Sequence, residues 1–434
     1  MLIYRSSGFY VVCFICVFMI LLSSPARATD NDEVFSLKLR YGYYDRDYET
    51  NSKDRKQSGY SGRLGYQSAW FADRFRLGIA AHTAKEFASS GLATEDLLAF
   101  NGHENKDHSL IAEAYVDYAA FASMNFRFGR QKHKSLLMAS ATRLLPSTFE
   151  GASLQWQVRD NIELYASRYY KWSRRADEQF NGFATDNSGE GAIDYVDIIG
   201  TKIKLANSRL TAEYLHSDDY LKKWGITTNT PWQGNGFKLN AMTGLFGAAD
   251  AGKLFVTDAE SGDLDYDASK ASSNGRQQYS SLGAYLGIQL SLKESQFAIY
   301  HSWLGDPWLE DSYTKDHGTN PFPHRTAGPD LLNKDEKILL LEYKQNWQKL
   351  LSTQLTSRVA YAYGYDAENS VSKDLGYADE YWFEVDLRWR PARFKGWISR
   401  LRYRDYGSSE TGSVRGVKED QTDIRLTLDY ATSF

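Results

Sequence analysis

Apolar and polar residues alternate one by one along most of this chain. In "FSLKLRYGY", Phe35, Leu37, Leu39, Tyr41 and Tyr43 share one face, while Ser36, Lys38, Arg40 and Gly42 share the other. "FRLGIAAH", "ASLQWQV", "SLGAYLGIQL" and "FEVDLRW" repeat the pattern. A period of two is the signature of a strand whose two faces meet different surroundings, and the apolar positions do not recur at the helical spacing of three and four. About eighteen such segments run from one end to the other.

The connectors alternate in length. "ADR" at 72–74, "RDN" at 159–161, "ANS" at 206–208 and "KES" at 293–295 read as tight turns. Longer polar stretches fall between them, at 46–58, 84–107, 173–190, 250–275, 306–334, 366–378 and 407–418, with a shorter one near 218. Tight turns at one end and long loops at the other is the pattern of an outer-membrane barrel. A soluble β-sandwich would alternate in the same way but would hide its apolar face in a core. Here that face runs out into tyrosines and tryptophans, as at a bilayer interface. Aromatics make up 15% of the residues, 30 of them tyrosine. The expected fold class is all-β, a transmembrane antiparallel β-barrel of about 18 strands.

The first residues read differently. Arg5 precedes the apolar run "FYVVCFICVFMILL", which ends in Ala26-Arg27-Ala28. That is a secretory signal peptide over 1–28, leaving a barrel domain at 29–434; the alternative is a membrane anchor, for which the run is short. Cys13 and Cys16 both fall within 1–28, so the barrel domain can form neither a disulfide nor a thiolate metal site. The net charge of −4 does not suit a nucleic-acid binder. No zinc site is expected of "HENKDH" at 103–108, no cofactor motif is present, and His301 shares a face with Phe297, Ile299 and Trp303.

A barrel in lipid leaves no open edge, because unpaired backbone groups there cost several kcal/mol each. The first strand must therefore close on the last, "DIRLTLDYATSF". Ile424, Leu426, Leu428, Tyr430, Thr432 and Phe434 share a face of it. A terminal aromatic on such a strand, Phe434 here, is expected to be read by the barrel assembly machinery.

Two stretches carry chemistry. In "ISRLRYRDY", Arg400, Arg402 and Arg404 alternate with Leu401 and Tyr403. If the apolar face meets lipid, the arginines point into the lumen, since charge at the lipid midplane costs about 2–4 kcal/mol each. Closure sets them beside Arg388, Arg390, Arg425, Lys38 and Arg40, a column of cations along one side of the channel. Guanidinium forks match carboxylates, and a row of them can pass an anion along. The competing reading pairs them structurally with Glu384, Asp386, Asp423 and Asp429, and the two readings are compatible. The second stretch, "RQKHKSLLMASATRLLPSTFEG" at 130–151, is too apolar to stand in water as an external loop. It is expected to fold back into the lumen and narrow it, with Lys132, His133, Lys134 and Arg143 at or near the constriction. The alternative seats it on a partner subunit, so monomer and homotrimer both stay open.

"TRLLPSTFEG" after "RFGRQ", and the closing "FKGWISRLRYRDYGSS…DIRLTLDY", resemble the OprD family of outer-membrane porins. The resemblance runs from "LKLRYGYYDRDY" to Phe434 and is weakest at 218–275 and 306–330. It implies an 18-stranded barrel, a pore restricted by the third and seventh loops, and a basic ladder onto which Arg40, Arg388, Arg390, Arg400 and Arg402 map. The 306–334 loop departs from the family's pattern, and no acidic pocket residues map. The expected function is passive diffusion of small carboxylate-bearing solutes, such as amino acids and aromatic or other organic acids, across the outer membrane. The alternatives are a general or sugar-preferring channel and, from another class, a barrel hydrolase, for which the scattered histidines offer no adjacent set.

Overall fold

The computed structural model describes residues 33–94, 97–100, 103–185, 191–261, 279–309, 320–325, 329–368, 377–409 and 419–434. The expected signal peptide lies outside them, as do parts of the loops expected at 84–107, 173–190, 250–275, 306–334, 366–378 and 407–418.

Eighteen strands make the wall. They are β1 Val34–Tyr48, β2 Arg55–Gln67, β3 Phe75–Gly91, β4 His108–Phe121, β5 Met124–Gln131, β6 Thr148–Arg159, β7 Ile162–Ser173, β8 Val196–Leu205 and β9 Ser208–Ser217. They continue as β10 Leu221–Gln233, β11 Phe237–Asp250, β12 Ser280–Leu292, β13 Ser295–Leu304, β14 Lys337–Asn346, β15 Gln354–Glu368, β16 Tyr377–Arg390, β17 Trp397–Ser408 and β18 Gln421–Ser433. Each pairs antiparallel with its neighbours in sequence, and β1 closes on β18 from Ser36–Ser433 to Tyr48–Gln421. Phe35 and Phe434 exchange backbone hydrogen bonds of 3.0 and 2.9 Å at the seam. No backbone edge is left for lipid to meet.

The outward faces are those the alternation marks. Phe75, Leu77 and Ile79 are exposed, as are Leu282, Leu286 and Ile288, and Leu401 and Tyr403. The strands run further toward the long loops than the apolar pattern does. β1 extends to Tyr48 and β3 to Gly91, so the first two loops shrink to 49–54 and 92–107. The reason is that hydrogen-bonded pairing continues above the apolar band, Arg55 opposite Gly91, past a bulge at Ser58/Gly59. The connection near 218 is a tight turn, with Asp219 in the left-handed region at φ 54°.

Described residues of several loops pack against the wall. Leu137 and Met138 of the third loop, Phe183 of the fourth, Phe255 on the helix α1 (Lys253–Ser261) of the sixth, and Trp308 and Phe322 of the seventh form one buried cluster. It packs on inward-facing Leu215, Phe246 and Trp382. Leu144 and Leu145 form a second cluster with Tyr44, Ala84, Leu97 and Leu98. Apolar loop residues thus find burial against strand residues, which answers the excess of greasy positions at 130–151.

Candidate functional site

Cross-strand register sorts the inward charges of β15 to β18 and β1 into rungs. The first runs Ala360–Glu384–Arg404–Asp423–Arg46 and is balanced, two cations to two carboxylates. The second runs Arg358–Asp386–Arg402–Arg425–Tyr44, three cations to one carboxylate. The third runs Thr356–Arg388–Arg400–Thr427–Gly42 and holds two cations with no carboxylate. Beyond it Asp429 faces Arg40, and Arg390 sits at the end of β16.

The ion pairs follow this uneven supply. Asp423 holds Arg46 at 2.8 Å and Arg425 at 2.5 Å, with Arg404 further off at 3.7 Å. Arg400 reaches back to Asp386 through Nε at 2.9 Å. Arg358 spans Glu342 at 2.5 Å and Glu384 at 2.6 Å. Arg402 comes no closer than 3.7 Å to Glu384 and 3.9 Å to Asp386. Arg388 has no carboxylate partner among the described residues, and neither have Arg390 and Lys38. Arg40 binds Asp429 at 2.5 Å, and its Nη1 donates to the backbone carbonyl of Arg143.

Five of these wall arginines and Arg40 line a cavity of about 550 Å³, closed on its other side by Arg143 of the third loop, Arg175 of the fourth and Arg325 of the seventh. Nine arginines face it against three carboxylates, Glu384, Asp386 and Asp429. Among the described residues its only aromatic lining residue is Tyr44, over which the Arg425 guanidinium sits 4.6 Å from the ring centre. Such a surface can bind anions through charge-assisted, bidentate hydrogen bonds. It offers no nucleophile paired with a base, and no metal-binding group of His, Asp or Glu occurs among the described residues.

The third loop is tied to the wall by a residue that the strand pattern does not single out. Glu213, buried and inward on β9, accepts from Leu136 N at 2.9 Å, Leu137 N at 2.7 Å, Ser135 Oγ at 2.9 Å and Tyr165 Oη at 2.6 Å. At the other end Ser61 donates to the Leu144 carbonyl at 2.9 Å. The Leu144 side chain lies where a Cβ on Gly42 or Gly59 would stand 3.0 Å away, so those two glycines leave it room.

The residues expected in the ladder and constriction therefore divide. Arg40, Arg388, Arg400, Arg402, Arg425 and Arg143 meet at the cavity. Arg404 lies outside the cavity lining: it is 1% exposed and belongs to the balanced rung. Lys38 and Arg390 are exposed but lie outside the cavity lining. Lys132 and His133 lie outside this cavity's lining. Lys132 pairs with Glu113 at 3.0 Å, a carboxylate that also binds Arg63 at 2.7 Å. His133 bonds Tyr169 through Nδ1 at 2.9 Å, and burial lowers its pKa to about 4. Lys134 is exposed beside a bridge to Ala139. Arg358 was missed, although "TSRVAYAYGY" places it inward by the same alternation; Arg175 and Arg325 sit on loops that no strand register reaches.

Residues 30–434 match the outer membrane porin family OprD. The chain belongs to the OprD family of outer-membrane porins. Solved structures agree in fold. OpdK of Pseudomonas aeruginosa, crystallised with vanillate, superposes with a TM-score of 0.77 at 16% identity, covering 93% of this chain and 99% of that one. OccAB3 and OccAB4 of Acinetobacter baumannii give 0.78 at 17% and 0.76 at 20%, covering 93% and 95% of this chain and all of theirs, 100% in each case. No curated protein is significantly similar in sequence. As an OprD-family barrel, the protein spans the Gram-negative outer membrane many times, and its family consists of channels, not enzymes.

The seventh loop that brings Arg325 to the porin's cavity rests on His324, fully buried and stacked 5.5 Å from Phe322. Its Nε2 lies 2.9 Å from the Leu331 carbonyl, which can only accept, so Nε2 carries the proton and Nδ1 faces Ser302 Oγ at 3.3 Å. Burial lowers the pKa of this ring from 6.5 to about 3. A depressed histidine contributes its stability above pH 6.5 and loses it as pH falls toward 3. At about pH 5.5 the seat of the loop should be weaker than at neutral pH. Amide exchange over residues 320–325, corrected for its intrinsic pH dependence, should therefore show falling protection on acidification; rising protection would contradict this.

Proposed function

We propose that this OprD-family porin is a substrate-preferring channel for small carboxylate-bearing solutes, which enter the cavity from outside and descend along the arginine rungs. The observation that carries the reading is the charge imbalance of the second and third rungs, five arginines to the single carboxylate Asp386. Such an excess draws anions to the cavity and raises their local concentration. Spacing the cations along a wall lets a bound carboxylate exchange one fork for the next, as conduction requires. The third loop narrows the path in this reading, because Arg143 is presented to the wall from a backbone fixed by Arg40, Ser61 and Glu213.

Liposome swelling tests it. Proteoliposomes should swell several-fold faster in a small organic acid salt than in a neutral sugar of equal size. Equal rates would favour the general-diffusion alternative, and a faster rate for the sugar would favour a sugar channel.

A further inference from the structure

The outer surface of the wall is not uniformly apolar. Between β5 and β9 it holds a trough of about 740 Å³. Phe126 and Phe128 form one bank, Ile199 and Tyr214 the other, and Ala152 and Ala166 leave the floor low. Register places these residues in two parallel outward rows. One is Phe126–Leu154–Ala166–Ile199–Tyr214, and the next is Phe128–Ala152–Arg168–Asp197–His216.

The second row carries charge on a face that meets lipid. Arg168 binds Asp197 in a fork, Nε to Oδ1 at 2.6 Å and Nη2 to Oδ2 at 2.5 Å, and lies 4.1 Å above the Tyr195 ring. Its side chain stays 46% exposed, and Nη1 makes no hydrogen bond to a described residue. One row further out, Arg130 pairs with Glu150 at 2.7 Å and lies 4.3 Å from the Phe180 ring, and Glu150 faces Lys171 across the strands. Lys171 is exposed, with no acidic partner among the described residues. The outward cations Arg130, Arg168 and Lys171 share the patch with three carboxylates, Glu150, Asp197 and, beside Tyr195, Asp218, but Arg168 and Lys171 keep exposed N–H groups that none of the three takes up. The three cations lie where β5 to β8 approach the long third and fourth loops, which is the outer-leaflet end of a barrel.

An apolar trough capped by exposed cationic donors at the outer leaflet is complementary to a lipid with an anionic headgroup. We propose that it seats an acyl chain of a phosphate-bearing saturated lipid of the outer leaflet, with the phosphate held by Arg168, Lys171 and Arg130. The chain lies on Ala152 and Ala166 between the two aromatic and aliphatic banks. The guanidinium N–H groups not used by Asp197, Glu150 and the Ile111 carbonyl, which takes Arg130 Nη1 at 3.2 Å, donate to the phosphate oxygens. The tyrosine and phenylalanine under the two arginines hold them at the interface, where amphipathic groups settle.

The test is native mass spectrometry of the full protein released from detergent with equal amounts of diphosphoryl lipid A and its dephosphorylated form. The wild type should retain the phosphorylated lipid preferentially; equal retention of the two would overturn the proposal. Two variants address the two halves of the site. A152F/A166F fills the trough with residues that suit lipid, and K171Q with R168Q/D197N removes two of the three cations without stranding a carboxylate. Each lost cation should lower retention about fivefold, and the filled trough should lower it for both lipids. Unchanged retention in either variant would also overturn the proposal. Single-channel conductance, set on the opposite face of the wall, should be unaltered in both and reports that the barrel has folded.

Discussion

Replacing Arg388 and Arg400 together by glutamine should remove most of the channel's preference for anions. These two residues form the rung that has no carboxylate of its own, and Arg400 is half-exposed to the cavity even while it binds Asp386. A unit charge about 4 Å from a passing carboxylate contributes about 1 kcal/mol in a water-like medium and more where the wall excludes water. Losing both should lower the anion-to-cation permeability ratio by about an order of magnitude. The zero-current potential across a bilayer in a KCl gradient measures it. The difference between wild type and variant should shrink as salt rises, since at 1 M the field of such charges fades within about 3 Å. A variant that keeps the wild-type potential would leave the rungs a structural role alone.

Replacing Glu213 by alanine should release the third loop. One carboxylate accepts two backbone amides and two hydroxyls there, inside a buried site. Hydrogen bonds to a buried charge are worth about 1.5–3 kcal/mol each, and the stranded amides of Leu136 and Leu137 add their own desolvation. The loop's attachment should weaken by about 3–5 kcal/mol while the wall, paired strand to strand all the way round, stays closed. Single-channel records should show higher conductance and frequent flicker, with the heat-resistant barrel band unchanged on gels. Glutamine should fall between, because its amide nitrogen cannot accept. Unchanged conductance in the alanine variant would mean that the third loop does not restrict the path.

The wall was legible in the chain because lipid imposes a simple rule at every second residue. Leu401 and Tyr403 face out, so Arg400 and Arg402 face in, and counting such segments gives the strands. What alternation cannot supply is register across strands. Arg404 sits on the same face as Arg400 and Arg402, yet the pairing of β16, β17 and β18 buries it between Glu384 and Asp423, with Asp423 3.7 Å away. The wall bears out the family resemblance in fold; it also shows that adjacency along one strand overstates how many arginines reach open space. The loops were legible only by composition. The apolar run at 136–145 had to be buried somewhere, but nothing in "TAEYLHS" marks Glu213 as its anchor. Nor does any local pattern place Arg175 and Arg325 at one cavity, because that meeting depends on three loops packing together around Phe183, Trp308 and Phe322.

The central claim is that the unbalanced rungs make this porin favour carboxylates. The most direct measurement is the zero-current potential of a single wild-type channel separating two concentrations of the sodium salt of a small organic acid. The account predicts a potential of the sign set by the carboxylate, so that the organic anion crosses faster than sodium. A potential of the opposite sign, with sodium the faster ion, would contradict it.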